Sequence, residues 1–424
     1  MPKTARNSEI SGFHKAITAE LSAVPRRLIR TKLAALIEQK VPDVPKGFAE
    51  ALADHILAKN KEPFEFDNED EREVSVDITA ADIDLIGTEV RSFVTDEIPE
   101  IVTKIIDDAA SAILETLNRD WPAQRDWQRV TTEGFKERLE DRWGRGFDIL
   151  RMMYTIAKEI GGIANQRRRR SRAKRNLVLQ DTITHLHIRA CQVVAEILCL
   201  MENGFADGAI ARWRTLHEIT VVAAVIAHFG EDLAVRYRAH EAVEAKRAMD
   251  RYQVSHAALG LSPFGQKDTR EVEDHYQAAL ALYGDRFGSE YGWAGCHLDL
   301  KKPRFIDLEK AAGKLEMRPY YGLASYNVHA SAMGIAFRLG LPRELAGPTG
   351  LAGASNTGFV DPAQNAAFDI AFMTSLILRP HNIDDMIQLK ILLLLRGKIA
   401  AELTAADRRI EKEHRAHLRA GRAQ

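Results

Sequence analysis

Apolar residues recur three and four positions apart along nearly the whole chain, and alternating apolar–polar runs bounded by turns are scarce. That spacing puts one apolar stripe on a helix and leaves little that could pair as a sheet. "ISGFHKAITAELSAVPRRLIRTKLAALIEQ" and "DIDLIGTEVRSFVTDEIPEIVTKIIDDAASAILETLNRDW" both carry it. The expectation is an all-α protein, a helical bundle with an additional N-terminal helical region. With 424 residues and 46% apolar content, the chain can bury a large core and hold two or three domains.

Breaks in the period suggest the organisation. N-terminal helices are expected over 1–60, an acidic linker over 61–77, and a helical segment over 78–130. A helical-bundle domain follows over 131–400, then a charged C-terminal helix or tail over 401–424. Pro122 is expected to end a helix, and Gly144 and Gly146 to interrupt the next. The amphipathic "IVTKIIDDAASAILETL" could assemble the chain into a homo-oligomer, although burial against the same chain is the simpler expectation.

Basic and acidic residues balance at 59 and 60, so nothing pulls the whole molecule toward nucleic acid. Cys191, Cys199 and Cys296 are odd in number and lack zinc spacing, so neither a metal, a cofactor nor a disulfide framework is expected, and a reducing cytoplasm is the simplest location. The N-terminus lacks a secretory apolar stretch. The longest apolar runs, Ile219–Phe229 and Ile391–Leu395, fall short of the roughly 18 residues that cross a bilayer, so no membrane role is expected.

Three stretches carry chemistry. "NQRRRRSRAKRN" concentrates Arg167, Arg168, Arg169, Arg170, Arg172, Lys174 and Arg175. Such a run can hold RNA phosphates, but it interleaves no aromatic or base-reading side chains, and a solvated helix end is the plainer reading. "DGAIARWRTLHEI" loads four costly polar groups onto a helix about to be buried. With Asp207 as its cap, Arg212 and His217 diverge by about 140° around the axis, whereas Arg214, His217 and Glu218 share a face. "YYGLASYNVHA" sets Ser325 and His329 four apart, on one helix face. It has no nucleophile elbow and no orienting carboxylate, so nucleophilic catalysis is disfavoured. Glu196, Glu218, Glu241 and Glu244 give no Glu-x-x-His, which argues against a carboxylate-bridged metal site.

"ACQVVAEILCLMENGFADGAIARWRTLHEI", "YGWAGCHLDL" and "YYGLASYNVHASAMG", in that order, resemble the signatures of the domain of unknown function 5677, a family of helical, mainly bacterial proteins. "FKERLEDRWGRGFDILRMM" resembles its N-terminal flank, and the resemblance spans roughly Phe135 to Arg396. It implies a helical fold and a candidate site: Arg214 and Glu218 on the second helix of a hairpin, Trp293 and Gly295 on a Trp-small-Gly element, and Tyr321, Ser325 and His329 on a further helix. It implies no reaction. The R-x4-H spacing of Arg212 and His217 also resembles that of HEPN ribonucleases, although Trp213 stands where that signature has a polar residue.

Two functional readings follow. In the favoured one the chain is a non-catalytic helical module that binds a ligand or partner, with Arg214–Glu218 as an ion pair and His329 nearby. In the other it is a metal-independent ribonuclease, a toxin or phage-defence effector, with His329 or His217 as base, Arg214 as cation and the 167–175 run guiding RNA. Both require Arg214, Glu218 and His329 to meet.

Overall fold

The computed structural model describes residues 4–60, 62–67, 73–170, 176–341 and 351–422. Among them there is no strand, and the all-α expectation stands. The chain divides into two compact units, Met1–Trp127 and Gln128–Gln424.

In the first unit, α1 (Thr4–Lys40), α2 (Phe48–Leu57) and α3 (Ala80–Ser92) share a small core of Leu33, Ala34, Ile37, Ala49 and Ala53. Thr79 starts α3 with a capping box: its hydroxyl accepts the Asp82 N–H while Asp82 accepts the Thr79 N–H. A π-helical turn, Phe93–Glu97, leads into α4 (Ile98–Arg170). The amphipathic stretch in α4 is not buried as expected: Ile101, Ile106, Ile113 and Leu114 are 42–60% exposed. Nor does Pro122 end a helix. It lies inside α4, where neighbouring residues are exposed and water can take the carbonyl that its missing N–H leaves unpaired.

The second unit takes the rest of α4. Gly144 and Gly146 do not interrupt it; both are buried, and at Gly146 α14 (Ile383–Arg422) presses in. A Cβ on Gly146 would stand 2.3 Å from Leu403 Cδ2. α5 (Leu177–Glu202) and α6 (Ala206–Phe229) form an antiparallel hairpin around Gly204, whose φ of +86° and contact with the Phe135 ring exclude a side chain. By length and composition α5 could cross a bilayer, with a mean hydropathy of 1.3, contrary to expectation. Half of that window is buried, as befits the core helix of a bundle.

Beyond the hairpin come α7 (Glu231–Ala239), α8 (Glu241–Ser255) and α9 (Gln266–Tyr283), then two 3-10 turns that seat Trp293 against Tyr237 at 5.0 Å. Short helices α10 (Phe305–Ala311), α11 (Arg318–Val328) and α12 (Ala332–Ala336) follow. α13 (Val360–Ser375) packs on α5, α6 and α14. Helix α6 is central, touching α5, α7, α10, α11 and α13. Its nearly all-round apolar sequence is what a surrounded helix requires. The core is anchored by Trp143, Phe147 and Phe359, packed edge to face at 5.2 and 5.5 Å.

Candidate functional site

Asp207 does not cap α6. The helix starts one residue earlier, and the Asp207 carboxylate instead accepts the N–H groups of Leu339 and Gly340 at 2.7 and 3.2 Å. It thereby ties the strap 337–341 to the hairpin. The divergence of Arg212 and His217 is borne out: Arg212 pairs with Glu196 on α5, while His217 points inward and is fully buried. The R-x4-H residues therefore serve different neighbourhoods.

Arg214, Glu218 and His329 do meet, at an open edge of the bundle rather than inside it. Arg214 Nε donates to Glu218 Oε1 at 3.1 Å, and Arg214 Nη1 lies 3.2 Å from His329 Nε2. A guanidinium can only donate, so Nε2 must accept and the imidazole carries its proton on Nδ1. Tyr321 completes the cluster, donating its hydroxyl to Glu218 Oε1 at 2.6 Å with its ring 4.7 Å from the guanidinium carbon of Arg214. Arg318 lies against the same ring at 5.0 Å. Burial opposes the Arg214 charge, yet Tyr321 and Glu218 together hold its pKa above the ordinary value. Burial, then Glu218, pushes the Tyr321 phenol up. The Tyr291 phenol is pushed up to about 12 by burial, with Glu290 and Glu218 adding to it.

His329 is not on the helix with Ser325. α11 ends at Val328 and His329 turns extended, at φ −105° and ψ 144°, which leaves it exposed. The Ser325 hydroxyl donates to the Tyr321 carbonyl at 2.8 Å. Ser325 thus braces α11 and does not form a nucleophile–base pair.

A second, sealed network lies beneath. His217 Nε2 is 3.4 Å from Glu309 Oε1 and its Nδ1 is 3.4 Å from Asp369 Oδ2. All three side chains are fully buried. Each carboxylate has its own cation: Arg318 donates to Glu309 Oε2 at 2.6 Å, and Lys314 Nζ stands 3.7 Å from Asp369 Oδ1. Trp213 Nε1 donates to Asp369 Oδ2 at 2.8 Å. Lys314 also lies over the rings of Phe368 and Phe372 at 4.4 and 4.0 Å; burial pulls its pKa down and Asp369 pulls it back. Two carboxylates facing two cations is the pairing a low-dielectric interior demands. Arg318 joins the networks, holding Glu309 below while lying against Tyr321 above.

The basic run sits elsewhere. Arg167 grips Asp385 through two hydrogen bonds of 2.9 and 2.8 Å, and Arg168 pairs with Asp181 at 3.1 Å. Arg169 and Arg170 are exposed; Arg172, Lys174 and Arg175 lie outside the described residues. Asp181 and Glu196 mark the levels of Arg168 and Arg212 along α5, and at 1.5 Å per residue they are about 22 Å apart. The run is therefore not beside the Arg214 cluster.

Sequence reasoning missed Glu309, Arg318, Lys314 and Asp369. Only Asp369 carried a signal, as a single charge in the apolar "AAFDIAFM". Among the described residues no group of His, Cys, Asp and Glu could hold a metal. No curated protein and no solved structure matches the chain. Residues 180–344, which contain α6, α11 and every member of the Arg214 cluster, match the model of a family of unknown function, DUF5677.

Proposed function

We propose that this is a non-catalytic, cytoplasmic helical module that binds a ligand or partner at the face carrying Arg214, Glu218, Tyr321 and His329. One observation carries the reading: the groups that catalysis would need are already committed to one another. The His329 Nε2 lone pair accepts from Arg214, the Arg214 charge is matched by Glu218, and the Ser325 hydroxyl is held by a backbone carbonyl. A general base must offer a free lone pair to the proton it abstracts. What remains is a preorganised polar and aromatic face with an exposed imidazole at its rim. The free thiols Cys191, Cys199 and Cys296 fit a reducing compartment.

The ribonuclease reading keeps one favourable observation, the 3.2 Å approach of Arg214 to an exposed His329. In that chemistry His329 would leave Arg214 and take the proton of a ribose 2′-hydroxyl. Arg214 would stabilise the phosphorane as the 2′-oxygen displaces the 5′-oxygen, which leaves as a hydroxyl by taking back, through water, the proton that His329 accepted. The products would be a 2′,3′-cyclic phosphate and a 5′-hydroxyl. Incubating total RNA with the wild-type chain and with His329→Ala separates the readings. The binding-module reading expects intact RNA from both. Cleavage by the wild type that His329→Ala abolishes would refute it.

A further inference from the structure

The first half of α14 is apolar on nearly every side, yet only one side of it is covered. "MIQLKILLLL" places Leu392 in the core, and Ile399, Leu403 and Ile410 continue that inner stripe. A helix apolar all round is expected to be surrounded. Instead Ile383, Ile387, Ile391 and Leu394, which share the outer side, are 77%, 53%, 37% and 53% exposed. A contiguous apolar stripe of that kind marks a face that something covers.

The charges around the stripe indicate what covers it. At about 3.6 residues per turn, the positions between Ile383 and Lys412 that lie within about 60° of the direction opposite Leu392 include Lys390, Lys398, Arg408 and Lys412, and no acid. All four are exposed. The acids of α14 keep to its flanks and its inner side. Asp385 is held by Arg167 and Arg379, Glu411 pairs with Arg415 at 3.1 Å and Glu413 with Arg142 at 3.6 Å. Asp384, Glu402 and Asp407 stand on the flanks. The bond from Arg167 to Asp385 also sets the end of α4 beside the start of α14, which brings the exposed Arg169 and Arg170 to the apolar end of the face.

An aliphatic stripe bordered by cations matches a bilayer surface that carries anionic lipid: the acyl boundary takes the Ile and Leu side chains and the headgroups take the Lys and Arg. We propose that the outer face of α14, with Arg169 and Arg170, docks the protein on an anionic membrane surface. The shortness of the apolar runs argues against spanning a bilayer, not against lying in its interface. The Arg214 cluster takes no part. A second copy seated on the same stripe would crowd Lys390 and Lys398 against like charges. RNA would leave the stripe in water, and the stripe has no aromatic side chain to stack a base.

Co-sedimentation of the full chain with vesicles tests this, using phosphatidylcholine alone and phosphatidylcholine with about a third phosphatidylglycerol. The mixed vesicles should bind about tenfold or more tighter than the neutral ones, and less tightly as salt rises. Ile387→Gln with Leu394→Gln should weaken binding to the mixed vesicles about tenfold or more by removing apolar burial. Lys390→Gln with Lys398→Gln should weaken it by a similar factor, since each cation near an anionic surface is worth about fivefold. Both double variants alter exposed side chains and should keep the wild-type urea midpoint, so that lost binding is not lost folding. Arg214→Ala should bind the mixed vesicles as the wild type does. Equal binding to the two kinds of vesicle, binding to neither, or unchanged binding by either double variant would overturn the proposal. So would a dimer in light scattering that Ile387→Gln with Leu394→Gln dissociates, which would give the face to a second copy. RNA bound more tightly than the mixed vesicles, and lost with Lys390→Gln and Lys398→Gln, would overturn it in favour of nucleic acid.

Discussion

Replacing Asp369 by Asn isolates the charge pair at the base of the candidate site. Asn keeps the shape and can still accept the Trp213 N–H, which now spans 2.8 Å, so the change is almost purely the loss of one negative charge. Lys314, with its side chain 3% exposed, is left without a counterion. At 3.7 Å the pair is worth about 4.5 kcal/mol with an effective dielectric of about 20. The rings of Phe368 and Phe372 recover part of this, and the ammonium can shed its proton because burial already lowers its pKa. Asp369→Asn should therefore cost about 3 kcal/mol, as breaking one side of a buried pair commonly does. Lys314→Met should cost a similar amount by stranding the carboxylate. The double variant removes both charges and should fall within about 1 kcal/mol of wild type, because apolar groups of similar volume replace buried pairs at little cost. Urea unfolding followed by far-ultraviolet circular dichroism reads this out as a midpoint about 1 M lower for each single variant and nearly restored in the double. If the two single losses add within about 0.5 kcal/mol in the double variant, Lys314 and Asp369 are not coupled and the account of the sealed network is wrong.

Arg167 should prove structural rather than nucleic-acid-binding. Arg167→Leu breaks a bidentate bond to a nearly buried carboxylate, and about 2 kcal/mol of stability should go with it. The pH dependence carries a sign. The Arg167 hydrogen bonds hold the Asp385 pKa well below the ordinary carboxylate value near 3.9, so this stability is present above that value and is lost as pH falls below it. The urea midpoint of wild type should drop across that acidic window and that of Arg167→Leu should drop less; equal slopes would contradict the assignment. Gly146→Ala should cost about 2 kcal/mol, or about 5 °C in Tm, because the new methyl meets the fully buried Leu403 at 2.3 Å. Leu403→Val in the same chain should recover part of that loss, and no recovery would place the strain elsewhere.

The helical class was legible because it needs only local information: the apolar stripe is written residue by residue. What misled was also local. Gly144 and Gly146 read as a break because glycine weakens an isolated helix, but both sit inside a continuous one, and the smallness of Gly146 lets α14 approach it. Pro122 read as a stop because it removes one hydrogen bond, but one lost bond on an exposed stretch does not outweigh a helix already propagating on both sides. Asp207 read as a cap from its position alone, whereas its carboxylate is claimed by backbone 132 residues away. The face shared by Arg214 and Glu218 was legible for the same reason as the fold, since three- and four-residue spacings are fixed by the helix. The partners of His217 were not: Glu309 and Asp369 reach it from α10 and α13, with Arg318 on α11 donating to Glu309, and no spacing rule connects those helices to α6.

The same contrast explains why a helix this central tolerates such a polar start. Arg212 and His217 point away from the face that Arg214 and Glu218 share, and each of the four meets a different neighbour: Glu196 on α5, Glu309 on α10 with Asp369 on α13, His329 past the end of α11, and Tyr321 on α11. About two turns of helix are thus tied to four surrounding elements through charged or charge-assisted contacts. Each contact weakens with small shifts in distance and angle in a way that apolar packing does not. Sliding α6 by one residue along its axis, or rotating it toward the next apolar face, would keep much of its hydrophobic burial. It would also strand His217 or Arg214 without partners at several kcal/mol each. The polar groups of "RWRTLHE" therefore fix the register of a helix that hydrophobicity alone leaves free to slip.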